Sequence, residues 1–263
     1  MENQIFNENC LDTMRRMPNE YIDLIITSPP YDDLRTYDDK YDFQFENVAH
    51  EIARILKIGG VCVWIVGDAT KNGSETGTSF RQALFFMDVC GLKLHDTMIW
   101  NKMGFSAVGS LRSRYAPVFE YMFVFSKGKP AIFNPIKDRS NKNAGRISGG
   151  TIRNADGTTK PMSKKMIIAD YGQRFNIWEQ SPVRQRGGHP APFPEKLAQD
   201  HIASWSNRDH IVYDPFLGSG TTCVAAKALK RRYIGSEMND SYFKMAKERI
   251  ENTPYQGDLF EQE

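Results

Sequence analysis

Residues 211–222 read Ile-Val-Tyr-Asp-Pro-Phe-Leu-Gly-Ser-Gly-Thr-Thr and leave this chain few folds to choose from. An apolar, β-branched run ends in an acidic side chain, Asp214, and Pro215-Phe216-Leu217 leads into Gly218-Ser219-Gly220. Thr221 then opens a helical stretch that reaches Leu229, and Tyr233–Ser236 reads as the next strand. Glycines are needed where a backbone turns tightly and approaches a ligand with no Cβ in the way. Glu237 ends the second strand, 23 residues beyond Asp214. A carboxylate at that place suits the two hydroxyls of a ribose. No Gly-Lys-Ser/Thr is present, so no lysine reaches a β- or γ-phosphate. Cys223 stands where a dinucleotide turn has its third glycine. That weakens a pyrophosphate-binding dinucleotide site and favours a cofactor with a ribose and no phosphate.

The rest of the chain alternates in the same way. Tyr21–Thr27 reads as a buried strand stopped by Ser28-Pro29-Pro30. Apolar residues at Val48, Ile52, Ile55 and Leu56 have helical spacing, with Lys57-Ile58-Gly59-Gly60 as a helix stop and Val61–Val66 as the following strand. Phe80–Cys90 reads as a helix ended by Gly91, and Leu94–Trp100 and Val118–Phe125 as strands. Trp64, Trp100 and Tyr121 lie on these strands and read as core. A helix starts near Glu195, and Asp240–Ile250 is amphipathic. Alternating strands and helices over 263 residues, 40% of them hydrophobic, predict an α/β fold with a mostly parallel sheet and room for one insertion.

Charge shows where the insertion lies. Residues 127–188 hold 13 basic and four acidic residues, although the whole chain carries only +2. Within them, Asn141–Lys160 has four glycines and no aromatic residue, the composition either of a mobile basic loop that meets a phosphate backbone or of a solvated surface loop. Elsewhere charge carries less. Asp32-Asp33 and Asp38-Asp39 read as acidic loop, and His189 and His201 have no ligand spacing, so no metal is expected. The cysteines, Cys10, Cys62, Cys90 and Cys223, form no CxxC, which fits reduced thiols in a cytoplasmic protein. The first residues lack a basic and apolar leader, and no apolar run approaches a membrane span.

Ser28-Pro29-Pro30-Tyr31 sits at a strand's carboxyl end, where open α/β sheets place their ligands. Proline presets the backbone and supplies no N–H, so the point is rich in acceptors. The exocyclic amino group of a base has two N–H donors, which the Ser28 hydroxyl and the Pro29 carbonyl can grip while Tyr31 stacks on the ring. This segment, taken with Asp214–Thr222, resembles the catalytic and cofactor motifs of the S-adenosylmethionine-dependent DNA methyltransferases that methylate amino groups. With the catalytic motif near the N-terminus and the cofactor motif near the C-terminus, the order is that of the permuted β group. Residues 112–127 resemble the family's strand before its target-recognition region, and 189–196 the segment leading back to the cofactor strand.

The resemblance implies a Rossmann-like methyltransferase sheet formed by residues 1–127 and 189–263, with 128–188 as an inserted target-recognition region. It implies S-adenosylmethionine held by Asp214, Phe216, Gly218, Gly220, Thr221 and Glu237. Asn9, in Glu8-Asn9-Cys10, takes the place of an acidic residue near the adenine amino group, and Glu8 is its stand-in. Ser28, Pro29, Pro30 and Tyr31 become the catalytic segment. Arg112, Arg114, Lys142, Arg146, Arg153, Lys164 and Lys165 are the candidate DNA contacts. The partners implied are double-stranded DNA, a second copy of the chain and a cognate restriction endonuclease. A cytosine-C5 enzyme needs a Pro-Cys nucleophile, which is absent. Methyltransferases of RNA or protein with Asn-Pro-Pro-Tyr place the cofactor motif first. Serine before Pro-Pro is more typical of N4-cytosine enzymes and aspartate of N6-adenine enzymes, so cytosine N4 is the expected target, adenine N6 the alternative, and an RNA methyltransferase on the same scaffold a more distant one.

Overall fold

The structure, a computed structural model, describes residues 1–30, 43–104, 113–161, 166–182 and 193–254. It divides into two compact units, Met1–Asn134 with Asn176–Glu263, and Pro135–Phe175. In the larger unit eight strands form one sheet: β1 (Gln4–Phe6), β2 (Ile22–Thr27), β3 (Leu56–Val66), β4 (Lys93–Asn101), β5 (Phe119–Ser126), β6 (Ile177–Glu179), β7 (Ile211–Asp214) and β8 (Arg232–Ser236). Their order across the sheet is β1-β8-β7-β2-β3-β5-β4-β6. Only β5 runs against its neighbours; every other pair is parallel. The helices are α1 (Cys10–Arg15), α2 (Phe45–Ile55), α3 (Thr78–Asp88), α4 (Glu195–Trp205), α5 (Thr221–Ala228) and α6 (Asp240–Glu251). The α/β sheet expected from the alternation is the one observed. Among the described residues no helix is long and apolar enough to cross a membrane.

Strand sequences follow from burial. Ile22, Leu24, Ile25 and Ile26 are all fully buried, as a central parallel strand covered on both faces requires. Val48, Ala49, Ile52 and Ile55 of α2 face the same core. Phe86 of α3 fills its centre, with ring centroids 5.1 Å from Trp64, 5.6 Å from Phe45 and 4.8 Å from Phe125. The indole of Trp64 donates to Gln82 Oε1 at 2.9 Å, so its one polar atom is satisfied in the interior. Trp100 is buried as expected, whereas Tyr121 is only half-buried.

Two local expectations are corrected. Lys57–Gly60 does not end a helix before a separate strand but belongs to β3 itself. Ile22 pairs with Leu56 and Leu24 with Val61, so the extra residues bulge out of the ladder. Their backbone groups find distant partners: Gly59 N–H donates to Lys127 O at 2.7 Å, and Ala131 N–H to Gly59 O at 2.9 Å. The second correction concerns the basic segment. Residues 141–160 are not an irregular loop throughout; they lie in an antiparallel two-stranded arm within the smaller unit. Arg139–Ser140 pairs with Tyr171–Gly172, Ile147–Ser148 with Met166–Ile167, and Thr151–Arg153 with Thr159–Pro161. The reversal is local chemistry: Asn154 N–H donates to Thr158 O at 2.7 Å, and Asp156 Oδ1 accepts from Thr158 N–H at 2.9 Å. Backbone pairing needs no apolar face, which is why composition alone misreads the segment.

Replacing Phe86 by alanine removes the ring on which the aromatic core closes. The expected loss is about 3–5 kcal/mol of unfolding free energy, to be read from urea denaturation against wild type.

Candidate active site

The two motif-bearing segments meet because β2 and β7 are parallel neighbours. Leu24 pairs with Val212 and Ile25 with Tyr213, so the strands end side by side at Thr27 and Asp214. Thr27 Oγ1 donates to Asp214 Oδ1 at 2.6 Å across 187 residues of chain. Thr222 Oγ1, at the start of α5, donates to Oδ2 at 2.7 Å, and the Phe216 N–H to Oδ1 at 3.0 Å. Asp214 is only 1% exposed. Burial pushes its carboxyl up to about 6, against the pull of the Thr27, Thr222 and Phe216 donors. Both oxygens are thus engaged by the protein's own turn, and Asp214 orders that turn.

Beyond Asp214 the chain turns through the two glycines. Gly220 has φ +89°, and a Cβ there would lie 3.0 Å from both Cα and Cβ of Ala246 in α6. This glycine lets α6 close on the turn. Arg249, also on α6, donates to Ser219 O at 2.6 Å and to Ser219 Oγ at 3.0 Å. Glu237 follows β8; its Oε2 accepts from Gly218 N–H and its Oε1 from Asn239 N–H, each at 2.8 Å. Burial raises its carboxyl, while these backbone donors lower it. Phe216 is half-buried, its ring edge-on to Phe43 at 5.4 Å and to Trp64 at 6.4 Å. Thr221 is buried near Arg249.

Ser28 follows Thr27 directly and is half-buried, Pro29 is buried and Pro30 half-buried. The segment offers a hydroxyl and carbonyl oxygens, and its two prolines offer no N–H. Next to the glycine turn and the Glu237 carboxylate, it makes one row of strand ends that favours a ligand bearing N–H and O–H donors. Tyr31, Arg112, Lys164 and Lys165 lie outside the described residues, as do the acidic pairs at 32–33 and 38–39 and His189.

Other expected residues serve the fold first. Asn9 is the N-cap of α1, its Oδ1 accepting from Leu11 N–H at 2.9 Å. Glu8 accepts from Thr13 Oγ1 and pairs with Arg16, whose guanidinium holds its carboxyl below the usual range. Arg114 donates to Thr70 Oγ1 and to Gly73 O, both at 2.9 Å. Lys142, Arg146 and Arg153 are exposed on the arm. Sequence reasoning missed Thr27, Thr222, Arg249 and Gly235, whose absent side chain admits Leu217: a Cβ there would meet Leu217 Cδ2 at 2.8 Å. A hydroxyl that ends the apolar run Leu24-Ile25-Ile26 is the one signal that could have pointed to Thr27.

The Asp214 carboxyl, raised on folding, gives stability a sign with pH. The folded state holds the extra proton between about pH 4 and pH 6, so the contribution of this group to stability is greatest below that window. It falls as pH rises through the window, by roughly 3 kcal/mol in all. Asp214→Asn is expected to lack this component, which the difference in urea-unfolding free energy between wild type and variant, measured from pH 4 to 7, reads directly.

Comparison with known proteins fits this geometry. Residues 22–248 match the family model described as DNA methylase, of the N6/N4 methyltransferase kind. The orphan methyltransferase M.BamHII of Bacillus amyloliquefaciens is 50% identical over 240 residues, covering 88% of this chain and 89% of that protein. The solved structure of the PvuII DNA methyltransferase (cytosine-N4-specific) aligns with a TM-score of 0.70 at 21% identity, over 95% of this chain and 86% of that one. An M1.HpyAVI–SAM complex aligns at 0.62 with 24% identity, over 94% and 98%. These structural likenesses identify the sheet as the Rossmann-like methyltransferase fold. With the family model spanning most of its length and M.BamHII sharing every second aligned residue, the chain belongs to the DNA methylase family of N6/N4 amino methyltransferases.

Proposed function

We propose that this protein transfers a methyl group from S-adenosylmethionine to the exocyclic N4 amino group of cytosine in specific duplex DNA sites. The observation that carries the reading is the 2.6 Å hydrogen bond between Thr27 and Asp214, which sets Ser28-Pro29-Pro30 beside the glycine turn. A methyl acceptor gripped at one and a donor held at the other would lie over adjacent strand ends.

The residues fit that donor. The Glu237 carboxylate takes backbone N–H bonds from Gly218, Asn239 and Met238, and its two oxygens have lone-pair capacity left for a ribose hydroxyl. Phe216 presents an apolar ring beside the turn. When bound, S-adenosylmethionine supplies a methyl group activated by its sulfonium charge. The chain's own residues act on the acceptor. An aromatic amine is a poor nucleophile because its lone pair is delocalised into the ring. The Ser28 hydroxyl and Pro29 carbonyl, accepting its two N–H bonds, favour a tetrahedral nitrogen with the lone pair free. Positioning then carries much of the rate, and no strong base is needed before attack.

Serine before Pro-Pro supports cytosine as the target, as does the fold of the cytosine-N4-specific PvuII enzyme. A base reaches such a site only by leaving the duplex, at a cost of roughly a few kcal/mol. The exposed basic arm, with Lys142, Arg146 and Arg153, is the element we assign to DNA. Its two paired strands have the form of a ribbon that grooves admit.

Incubation with unmethylated DNA and S-adenosylmethionine, followed by nucleoside mass spectrometry, is expected to yield N4-methylcytosine; N6-methyladenine would transfer the mechanism to the other amino base. Ser28→Ala is expected to lower kcat by roughly 100-fold while leaving donor affinity nearly unchanged in calorimetry. Arg146→Ala with Arg153→Ala is expected to weaken DNA binding and flatten its salt dependence by up to about two units of log–log slope.

A further inference from the structure

We propose that Thr27 and Thr222 are positioning residues for methyl transfer, acting through Asp214 to fix the spacing between Ser28-Pro29-Pro30 and the glycine turn. This rests on the function proposed above. Three pieces of backbone converge on the one carboxylate: the end of β2 through Thr27, the entry to the turn through the Phe216 N–H, and the first turn of α5 through Thr222. Thr222 Oγ1 also lies 3.3 Å from the carbonyl of Ile26, so the helix touches β2 directly as well. Thr27, Thr222 and Asp214 are each no more than 1% exposed, so bulk solvent does not reach their bonds.

As a device for stability this arrangement is a poor choice. Burial raises the Asp214 carboxyl, so its charged form is disfavoured there, and well-packed apolar side chains of similar volume would serve stability as well or better. What a buried carboxylate provides is direction. Hydroxyl donors at 2.6 and 2.7 Å are short, charge-assisted and restricted in angle. Thr27 is covalently the next residue before Ser28, so its fixed position is transmitted to the hydroxyl that grips the amino group. On the other side the same carboxylate holds the residues that lead into Gly218. In-line transfer between two gripped partners is sensitive to such spacing, and a misplacement of about 1 Å can lower a rate about 100-fold.

The test uses Thr27→Val, which keeps shape and removes the donor, Thr27→Ser, which restores it, Thr222→Val, and the valine double variant. Each is measured for kcat at saturating DNA and S-adenosylmethionine, for donor Kd by calorimetry, and for its urea midpoint. Thr27→Val is expected to lose about tenfold or more in kcat with donor Kd changed less than about threefold, and Thr27→Ser to recover most of the rate. Because both threonines act through one carboxylate, the double variant is expected to lose much less than the product of the single losses. Wild-type kcat in Thr27→Val, equal losses in kcat and donor affinity, or multiplicative losses in the double variant would each overturn the inference while leaving the methyltransferase reading intact. If Thr27→Val does not fold, kcat and Kd of Thr222→Val decide by the same criteria. Absence of methyl transfer by the wild-type protein would remove the reading and this inference together.

Discussion

Asp214 lies where β2, β7 and the start of α5 come within reach of one side chain. An ionised carboxylate in such a place is costly unless its oxygens are met, and here two hydroxyls and a backbone N–H meet them. That requirement fixes more than the turn. The donors reach Asp214 only if β2 and β7 are adjacent, parallel and in the register that ends them together. A one-residue slip would point Thr27 to the other face of the sheet. The neighbouring groups follow: Glu237 holds the turn from β8, and Arg249 and Ala246 hold it from α6.

Much of this was readable before any coordinates. The glycine turn and the Ser-Pro-Pro segment are local signals, because glycine and proline restrict their own backbone whatever surrounds them. Strand and helix types followed from apolar spacing. What was not readable depends on partners far away in sequence. Nothing near Thr27 says that a residue 187 positions later will accept its hydrogen. Lys57–Gly60 looked like a helix stop because its bonding partners, Lys127 and Ala131, lie beyond two further strands. The close fit of α6 against Gly220 depends on Ala246, which lies outside the turn motif. Asn9 caps α1, a structural task beside the ligand contact that the resemblance implies.

The two units are held together by different physics. The larger has a core of fully buried aliphatic and aromatic side chains, where Trp64, Phe86 and Phe125 interlock. The smaller has little to bury: Ile147, Ile152, Met166 and Ile167 are all exposed, and the chain is organised by ladder bonds and a polar turn. Such an arm can exchange its surface residues with little penalty to folding, since its pairing is made by the backbone. If the arm meets DNA as proposed, its contact residues could change without disturbing the core that carries the strand ends.

The outermost strand of the sheet has a consequence of another kind. β1, at the beginning of the chain, pairs directly with β8, near its end: Gln4 with Ile234, Ile5 with Gly235 and Phe6 with Ser236. The first and last strands are therefore neighbours, as beads are on a necklace once the clasp is shut. On a closed necklace the order of beads is fixed but the starting bead is not. Opening the same loop elsewhere would let the glycine-turn strand precede the Ser-Pro-Pro strand, with each keeping its place in the sheet. Motif order along such a chain would change with the place of the cut, while the strand ends that meet at the site would stay the same.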